Sequence, residues 1–480
     1  MDSLLIPLIA RGQVIEDDLV TFAGRHGRME FRAPDVRKHF DDVVLADPTA
    51  LRDLYDLSMD DILDYLVELG TRLHPDTNPH VAAALDAALG TTHISAAMQR
   101  RMFRALPSMM RREALEEMVE DAVGRDYLEG WVEEEMIGRT VSVRAFGART
   151  AHVIAGNAPG IAVRTVALNA LCRSDAIIKI PSNDPYFSTA LALTMIEMAP
   201  DHPITKHVTV AYWKGGDHEF ESRLYDPKHL EKIVAWGGFD SMRSIREYLG
   251  PGLDLIALDP KLSASIVGRA ALDSEATMAE AARRTAYDIG IMNQGGCLNA
   301  RVVYLESGTD DAGIDAATTF GGLVFDAIQS LPEDLSSPHP AFDTDLKAEL
   351  DGLRYSDDFR VIGGKTNEGA VVVSQYDEPV DFAELLDCRV ANIVPVDSIA
   401  DALRRLTIHT QTIGIYPDEL KPQIRDECAL RGGQRIVSLG FATSGNWAGP
   451  HDAIEPMRRM LRWIRDDHQE TLTGSIHSGE

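Results

Sequence analysis

Short apolar segments alternate with helical segments from about residue 140 onward, and this alternation limits the possible folds more than any other feature of the chain. Four five-residue runs are candidate strands: 176–180, 208–212, 232–236 and 253–257. Their spacing leaves room for connecting helices, which is typical of βαβ units in a parallel sheet. The sequence therefore predicts an α/β fold.

Two further regions flank these candidate strands. Residues 1–140 have a mostly helical pattern, in which a capping box at Ser58–Asp61 starts an apolar run that ends at Gly70. Residues 298–435 form a second α/β stretch. No internal repeat or long low-complexity segment separates the parts, and the tail at 471–480 has a loose composition.

Local patterns predict the elements around two important turns. Segments 141–146 and 150–155 alternate in polarity about Gly147 and predict a β-hairpin. Further along, a helix is predicted over 274–289 with Ser274 as its cap, and it leads directly into a glycine-rich turn.

Composition excludes several classes of protein. The chain has 480 residues, 45% of them hydrophobic and 25% charged, and its formal net charge is −28. This length allows two or three domains. A nucleic-acid-binding protein needs a basic surface, so the charge argues against that class. No apolar run reaches the roughly 18 residues of a membrane span, and the amino-terminal segment lacks the basic flank of a signal peptide.

The four cysteines, at 172, 297, 388 and 428, are too widely spaced for a zinc site or a disulfide framework. We therefore expect no metal and a reducing cytoplasm as the compartment. Cys172 ends an apolar helical run, and Cys388 and Cys428 lack glycine-rich surroundings. These three fit small buried side chains better than ligands.

Cys297 differs from the other cysteines because it ends the polar run NQGGC, between a predicted helix and the apolar run 301–305. Gly295 and Gly296 let the backbone approach a substrate and leave amides free to face an oxyanion. A cysteine in such a turn is a candidate nucleophile for attack on an acyl carbon. Backbone dipoles could activate the thiol, but the sequence shows no obvious cationic neighbour.

Two more turns follow candidate strands, at the position where open α/β sheets bind ligands. In GNAPG at 156–160, Asn157 is either an oxyanion donor or a plain turn residue. Gly237 and Gly238 precede a helical stretch at 241–249. The first amides of that stretch attract phosphate, or the two glycines only make a tight turn.

A basic run lies around Pro107 and consists of Arg100, Arg101, Arg104, Arg111 and Arg112. One interpretation is a solvated helix face. The other is a docking patch for an anionic carrier, since such a ligand needs a local basic surface on a strongly acidic chain.

The order of these motifs resembles that of the aldehyde dehydrogenase superfamily. It resembles more closely the LuxC-type fatty acyl-CoA reductases of bacterial bioluminescence operons. The resemblance covers roughly 140–460 and rests on five motifs: GNAPG at 156–160, SDAIIKIPSNDP at 174–185, AWGG at 235–238, QGGC at 294–297 and GPHD at 449–452. It implies an aldehyde dehydrogenase-like α/β fold, with a Rossmann-like cofactor domain, a catalytic α/β domain and the active site in the cleft between them.

The resemblance also implies roles for single residues. Cys297 matches the catalytic thiol, and Asn157 matches the asparagine that forms the oxyanion hole with the Cys297 backbone N–H. On the cofactor side, the matching residues are Lys179 for the adenosine ribose, Gly237 and Gly238 beside the pyrophosphate and, in a looser alignment, Glu384 for the nicotinamide ribose. A solvated helix glutamate is an equally simple interpretation of Glu384.

Two departures from the family pattern affect the expected chemistry. Ala257 stands where hydrolytic aldehyde dehydrogenases have the base glutamate that activates water, although Asp259 lies two residues further on. Ser182 stands where NAD-preferring relatives often have a glutamate. A serine leaves room for a 2′-phosphate and favours NADPH. Arg243 and Arg246 could reach that phosphate or could lie on the surface.

Two histidines are possible acid–base helpers. His152 falls in a predicted strand and is expected to be packed. His451 belongs to the GPHD motif, and its simplest interpretation is a loop anchor.

The resemblance thus implies reduction of an acyl thioester, fatty acyl-CoA or acyl-protein, to the aldehyde through an S-acyl-cysteine with NADPH. We expect a homo-oligomer, with an acyl-transferring enzyme as a candidate partner. The expected domains are a helical amino-terminal region packed on the cofactor domain, the cofactor domain, the catalytic domain, and a return segment with the tail, at 1–140, 141–290, 291–435 and 436–480. Two alternatives stay open: an oxidative aldehyde dehydrogenase, and a non-catalytic scaffold of the same fold.

Overall fold

Two seven-stranded sheets form the centre of the molecule in a computed structural model. The structure describes residues 4–24, 30–91, 94–137, 139–259, 261–340, 342–445 and 449–467. The tail predicted to be loose, at 471–480, lies outside these ranges.

The first sheet contains all four strand candidates. Its strands, in spatial order, are Asp254–Leu258, Lys232–Trp236, Arg149–Val153, Asp175–Lys179, Val208–Ala211, Leu8–Ala10 and Gln13–Ile15. The first five run parallel. Leu8–Ala10 pairs antiparallel with Val208–Ala211, and Gln13–Ile15 pairs antiparallel with Leu8–Ala10. The strand order reverses beside Arg149–Val153, and such a switch point opens a crevice at the carboxyl ends of the strands. The predicted parallel sheet is confirmed.

The amino-terminal region is more mixed than its helical pattern predicted. The capping box at Ser58 is present and starts the helix Met59–Thr71. The helix packs with the first sheet's helices in one apolar core. Strands Leu8–Ala10 and Gln13–Ile15, however, extend the first sheet itself. The helical prediction missed them because three-residue strands are too short to show a period of two.

The predicted hairpin about Gly147 is wrong. Strand Arg139–Phe146 pairs with Val132–Met136 and Arg462–Asp467 in a separate antiparallel sheet, whereas Arg149–Val153 lies in the middle of the first sheet. Glycine is required at position 147, between these two strands, because a Cβ there would lie 2.0 Å from the backbone oxygen of Arg173. The glycine therefore marks a close backbone approach instead of a tight turn.

The second sheet contains the remaining long strands. In spatial order they are Phe359–Gly363, Ala370–Ser374, Val390–Pro395, Ala300–Leu305, Leu262–Val267, Thr410–Tyr416 and Arg435–Ser438. All neighbouring pairs are parallel except the first, which is antiparallel. Most of these strands are buried along their length, as expected for a parallel sheet covered on both faces.

The change from one sheet to the other comes earlier than the domain boundary predicted at 290. Strand Leu262–Val267 already lies in the second sheet, and helix Glu275–Gly290 packs in the same core. This strand escaped notice because Ser263 and Ser265 interrupt its apolar pattern. The helix itself agrees with its prediction, since Ser274 caps it and both halves of a capping box are present.

A three-stranded sheet of Leu4–Leu5, Glu30–Pro34 and Leu19–Ala23 completes the β structure of the described residues. The α-helices are Phe40–Val43, Arg52–Tyr55, Met59–Thr71, Pro79–Thr91, Ala96–Ala105, Arg112–Ala122, Arg125–Glu129, Gly160–Leu171, Tyr186–Met198, Pro203–Lys206, His218–Leu224, Phe239–Arg246, Glu275–Gly290, Asp311–Gln329, Thr344–Leu353, Ile399–Arg404, Lys421–Leu430 and Pro456–Met460. Within the described ranges, no helix combines the length and apolar character needed to cross a membrane.

Candidate active site

The turn before Cys297 has an unusual backbone. Met292, Asn293 and Gln294 all have positive φ angles, between 53° and 67°. Such angles are costly for residues with a side chain, and they persist only where the surroundings impose them. Here the surroundings do so, because the Gln294 amide donates to Ala300 O at 2.9 Å and to Val390 O at 2.8 Å. The run NQGGC is thus a rigid loop that presents its last residue.

Other polar contacts hold the same loop. Asn299 Oδ1 accepts from Gly296 N at 3.0 Å, and its Nδ2 donates to Ile291 O at 3.0 Å. Ser263 Oγ donates to Cys297 O at 2.7 Å. The loop therefore keeps its shape through buried side-chain amides and a hydroxyl, which fixes the position of the Cys297 backbone.

Asn157 lies at this loop. Its Nδ2 donates to Gly295 O at 3.1 Å, and the two residues are 138 positions apart in the sequence. Asn157 follows strand Arg149–Val153 of the first sheet, whereas Cys297 precedes strand Ala300–Leu305 of the second. The structure thus brings Asn157, which follows a strand of the first sheet, to the loop that carries Cys297 before a strand of the second.

Cys297 is the only one of the four cysteines that is partly exposed, and the other three are buried free thiols. Burial raises the pKa of the Cys388 thiol to about 12 and that of Cys428 to about 11, and it also raises the pKa of Cys172. These three are therefore unreactive at neutral pH. Their predicted role as small buried side chains agrees with this placement.

The pKa of the Cys297 thiol is also raised. Burial and the charge of Asp452 raise it, and the Gln411 side-chain amide and the Arg301 guanidinium offset part of that rise. The sequence offered no obvious cationic neighbour, and the structure supplies one in Arg301. Arg301 was overlooked because it lies near the start of an apolar strand, where its side chain is largely buried.

Lys179 ends a central strand of the first sheet. Its Nζ lies 5.5 Å from the centre of the Trp213 ring, and burial lowers the pKa of this ammonium group while Glu221 opposes the shift. Ser182 follows three residues later and hydrogen bonds the Tyr212 hydroxyl. Both residues therefore lie at the carboxyl end of the strand, beside the switch point of the sheet.

Gly237 and Gly238 connect strand Lys232–Trp236 to helix Phe239–Arg246. Gly238 is the residue before the helix, and a Cβ built on it would meet nothing within 4 Å. The turn therefore exposes the helix start to open space, where free amides can bind an anion.

The remaining predicted residues, Glu384, Arg243 and Arg246, are exposed. Glu384 is exposed in the short helix Ala383–Leu385 and makes no hydrogen bond or ion pair with the other candidates among the described residues. Arg243 is exposed and lies 3.6 Å from Asp240, and Arg246 lies 3.5 Å from Asp259. The surface interpretation of both arginines matches this arrangement.

Comparison with known proteins supplies what geometry alone does not. A family model described as acyl-CoA reductase (LuxC) matches residues 54–463. The chain belongs to that family. It is therefore an enzyme, an aldehyde-forming reductase of acyl thioesters, as the resemblance implied.

Among its relatives, the reductase is similar to a long-chain acyl-protein thioester reductase of Vibrio harveyi, with 25% identity over 98% of this chain and 94% of that protein. A protein of the same name from Photorhabdus laumondii is 28% identical over 75% of this chain and 72% of its own length.

Solved structures show the fold. Lactaldehyde dehydrogenase from Escherichia coli superimposes with a TM-score of 0.72 at 15% identity, over 98% of this chain and all of that one (100%). An NADP-dependent glyceraldehyde-3-phosphate dehydrogenase from Bacillus halodurans, solved with NADP, also gives 0.72, at 12% identity and with the same coverage. The predicted aldehyde dehydrogenase fold is confirmed.

The reductase has further residues at the thiol that sequence reasoning missed. Gln411 is buried in strand Thr410–Tyr416 and bonds to Asp452, and both act on Cys297. The signal was the GPHD motif, whose last residue is Asp452, but a sequence does not show which distant strand a loop will meet. His451, interpreted as an anchor, does pair its backbone with Ile454 and lies 5.5 Å from the Trp236 ring, centre to centre.

His152, the other histidine considered for acid–base chemistry, is packed as predicted. It is 1% exposed, its Nε2 contacts the Asn169 amide at 2.7 Å, and burial lowers its pKa to about 4. His152 is therefore neutral at physiological pH and belongs to the core of the first sheet.

The basic run of the reductase includes part of a surface cleft. Arg100, Arg101 and Arg104 line a cavity of about 580 Å³ together with Ala97, Ala105 and Asp334. Arg101 pairs with Asp334 at 2.7 Å, whereas Arg104 lies 3.8 Å from Asp76. The helix of this run meets the segment after residue 330, which also contacts the Cys297 loop through the bond from Ser337 N to Asn293 Oδ1, 2.8 Å long.

Proposed function

We propose that the chain reduces a fatty acyl thioester to its aldehyde with NADPH, and that Cys297 is the nucleophile. The observation that supports this best is the contact between the Asn157 amide and Gly295 O in the Cys297 loop. It places a candidate oxyanion donor against the loop of the one partly exposed cysteine. The two groups come from different sheets, so no local folding requirement explains their meeting.

In the first step, the Cys297 thiolate adds to the acyl carbonyl. The Asn157 amide and the Cys297 backbone N–H stabilise the oxyanion, and each such donor contributes about 3–4 kcal/mol in comparable sites. The bond from the acyl carbon to the carrier sulfur then breaks, and the carrier leaves as a thiol with the proton that Cys297 gave up. The acyl group is left on Cys297 as a thioester.

The residues at the switch point fit a dinucleotide. Lys179 and Ser182 would hold the adenosine ribose and its 2′-phosphate, and the open helix start after Gly238 would take the pyrophosphate. Glu384 is the candidate for the nicotinamide ribose. When bound, the nicotinamide supplies the hydride that brings the acyl carbon to the aldehyde level. Cys297 is then the leaving group, and its sulfur regains a proton as the aldehyde is released.

The absence of a base at position 257 supports reduction over hydrolysis. Ala257 lies in strand Asp254–Leu258 and faces Ala235 in the neighbouring strand, so neither side chain can activate water. Asp259 is paired with Arg246 at 3.5 Å, so its carboxylate is not a free base. The acyl-enzyme should therefore persist until hydride arrives.

The acyl donor is proposed from charge and from the names of the relatives. The relatives are called acyl-protein thioester reductases. An acyl-carrying protein or acyl-CoA fits this chain in the same way, since both are anionic and the cleft of Arg100, Arg101 and Arg104 is basic. We also propose an acyl-transferring enzyme as a partner, a homo-oligomeric assembly, and the reducing cytoplasm as the compartment, which suits four free thiols.

The test is aldehyde formation from a fatty acyl-CoA and NADPH by the wild type, Cys297→Ala and Cys428→Ala. The proposal expects aldehyde from the wild type and from Cys428→Ala, because Cys428 is a buried thiol, and none from Cys297→Ala. Activity of Cys297→Ala would exclude the mechanism. Release of free acid in place of aldehyde would indicate an oxidative aldehyde dehydrogenase.

A further inference from the structure

The ammonium group of Lys179 has no polar side chain to hold it. Among the described residues, Lys179 Nζ makes no hydrogen bond or ion pair. Lysine carries its charge on a flexible four-carbon stem, so a lysine without contacts samples many positions. The neighbouring strand runs parallel and pairs Ala211 with Lys179, which brings the residues after Ala211 to the same edge of the sheet. A contact that fixes this ammonium group must therefore come from that segment.

Trp213 supplies such a contact. It lies two residues beyond strand Val208–Ala211, and the centre of its ring is 5.5 Å from Lys179 Nζ. An aromatic face attracts a cation within about 6 Å. Trp213 is 1% exposed, and the Phe220 ring packs against it at 5.1 Å, centre to centre. The indole is thus immobile, and the position of the ring determines where the ammonium group lies.

Glu221 fixes the indole through its N–H. Glu221 Oε1 accepts from Trp213 Nε1 at 3.0 Å, while Oε2 accepts from Gly216 N at 3.2 Å and from the Tyr248 hydroxyl at 3.0 Å. Glu221 is 4% exposed. A buried carboxylate is unfavourable unless donors surround it, and here three donors do so. The carboxylate and the ring form one rigid unit, which we call the Glu221–Trp213 platform.

The platform also places a negative charge near the lysine. Burial lowers the pKa of Lys179, and the charge of Glu221 opposes that shift from beyond ion-pair distance. A direct ion pair would occupy the N–H groups of the lysine, whereas this arrangement leaves all three of them to a ligand. Lys179 ends its strand at the carboxyl edge of the sheet, where open α/β sheets bind ligands.

Packing alone does not explain this arrangement. Trp213 belongs to an apolar cluster that also contains Phe220 and Tyr225. An apolar side chain in place of Glu221 would fill the same space without a buried charge. The carboxylate is therefore accounted for by its contact with the indole and by its charge near Lys179.

We propose that Trp213 and Glu221 are positioning residues for Lys179. The carboxylate fixes the indole, and the indole holds the ammonium group at the edge of the crevice, ready for the ribose and phosphate oxygens of a nicotinamide dinucleotide. This inference deepens the proposed function, because it rests on Lys179 as a cofactor-binding residue.

The first test needs no cofactor. The full chain is labelled with acetic anhydride, and the acetylation of Lys179 is read by peptide mass spectrometry against Lys365, an exposed lysine beyond a strand of the second sheet. Glu221→Gln keeps an acceptor oxygen for the indole and removes the charge, so more Lys179 is present as the reactive free amine. Its labelling ratio should rise about two- to fivefold. Tyr225→Phe is the matched control, since the Tyr225 hydroxyl is buried in the same cluster without a hydrogen-bond partner among the described residues, and it should leave the ratio unchanged.

The second test is the affinity for NADPH, measured by calorimetric titration of the full chain without an acyl donor. Trp213→Leu removes the ring under the ammonium group and should raise Kd about two- to fivefold. The same substitution made in Lys179→Met should leave Kd at the value of Lys179→Met alone, because the platform acts through the lysine. Residues that act through one another show this kind of non-additivity in a double-mutant cycle.

A labelling ratio that does not change in Glu221→Gln would overturn the inference. So would a Trp213→Leu effect on Kd that is equally large with and without Lys179, since a purely structural substitution does not act through the lysine. If Trp213→Leu does not fold, Trp213→Phe takes its place in the cycle under the same criterion, because it keeps a ring and loses the bond to Glu221. Failure of the wild type to bind either NADPH or NADH would count against the proposed function, and the labelling ratio would then decide the inference by itself.

Discussion

Replacing Asn157 by alanine separates an oxyanion donor from a turn residue. In the structure, Asn157 is exposed and makes one side-chain bond, from Nδ2 to Gly295 O at 3.1 Å. Alanine removes both the bond and the amide that would face the acyl oxygen. Loss of the bond lowers the stability of the protein, and loss of the amide slows acylation. These two effects differ in size, so the substitution distinguishes the two roles.

The expected loss of folding stability is small. An exposed amide–carbonyl bond contributes about 0.5–1.5 kcal/mol to stability, and exposure puts this one at the lower end. The transition-state loss is larger, since removal of one oxyanion donor costs about 2.7–4 kcal/mol, or about 10²–10³-fold in rate. We therefore expect a nearly normal melting temperature and acylation slowed by two to three orders of magnitude.

The assay is single-turnover acylation of Cys297, quenched at intervals and read by intact mass. Asn183→Ala is the matched control, because Asn183 Nδ2 also bonds a carbonyl of this turn, Gly156 O at 3.2 Å, but does not reach the Cys297 loop. It should lose similar stability and keep most of its acylation rate. An Asn157→Ala protein with an unaltered acylation rate and a lowered melting temperature would refute the oxyanion role.

Three further outcomes are expected. Ala257→Glu should raise the free acid released per turnover at the expense of aldehyde, because a positioned base contributes about 10²–10⁴-fold to water attack; rapid acid release by the wild type would contradict this. Comparison of kcat/KM should favour NADPH over NADH, since Ser182 presents no carboxylate to a 2′-phosphate, and a clear NADH preference would mean that another acidic residue holds the ribose. Asp288→Asn should stabilise the protein at neutral pH by about 1–3 kcal/mol in urea unfolding, and an unchanged pH dependence would show that Asp288 is ionised at no cost.

The sign of the Asp288 effect follows from its burial. Burial raises the pKa of this carboxyl from 3.8 to about 6, against the bond from Ala442 N at 2.9 Å. Between these two values the folded state binds more protons than the unfolded state, so stability falls as pH rises from about 4 to about 6. Asparagine does not titrate, and its stability curve should be flatter in that window.

Much of the first sheet was predictable, because its central strands are unbroken apolar runs buried on both faces. Strand Lys232–Trp236 matches its predicted bounds, and Asp175–Lys179 and Asp254–Leu258 each differ by one residue. Strand Leu262–Val267 was not found, since alternating serines lower its apolar content and only the finished sheet buries them. A run of apolar residues therefore predicts a central strand only when the strand contains few polar residues.

The candidate site was predictable where single motifs determine it. Cys297 and Asn157 were predicted from short glycine-containing turns in a recognisable order. The structure places the Asn157 side chain against the loop that contains Cys297. Gln411 and Asp452 were not predictable, because a polar residue in a strand and an aspartate in a late loop give no signal of their meeting. The left-handed turn at Met292 was equally hidden, since its shape comes from bonds to distant strands.

The central claim is an acyl group carried on Cys297, and intact mass tests it most directly. The protein is mixed with a fatty acyl-CoA series without nicotinamide, then weighed before and after NADPH is added. The account predicts that wild type and Cys428→Ala gain the mass of one acyl group and lose it with NADPH, while Cys297→Ala gains none. No adduct on the wild type with any chain length, or an equal adduct on Cys297→Ala, would contradict it.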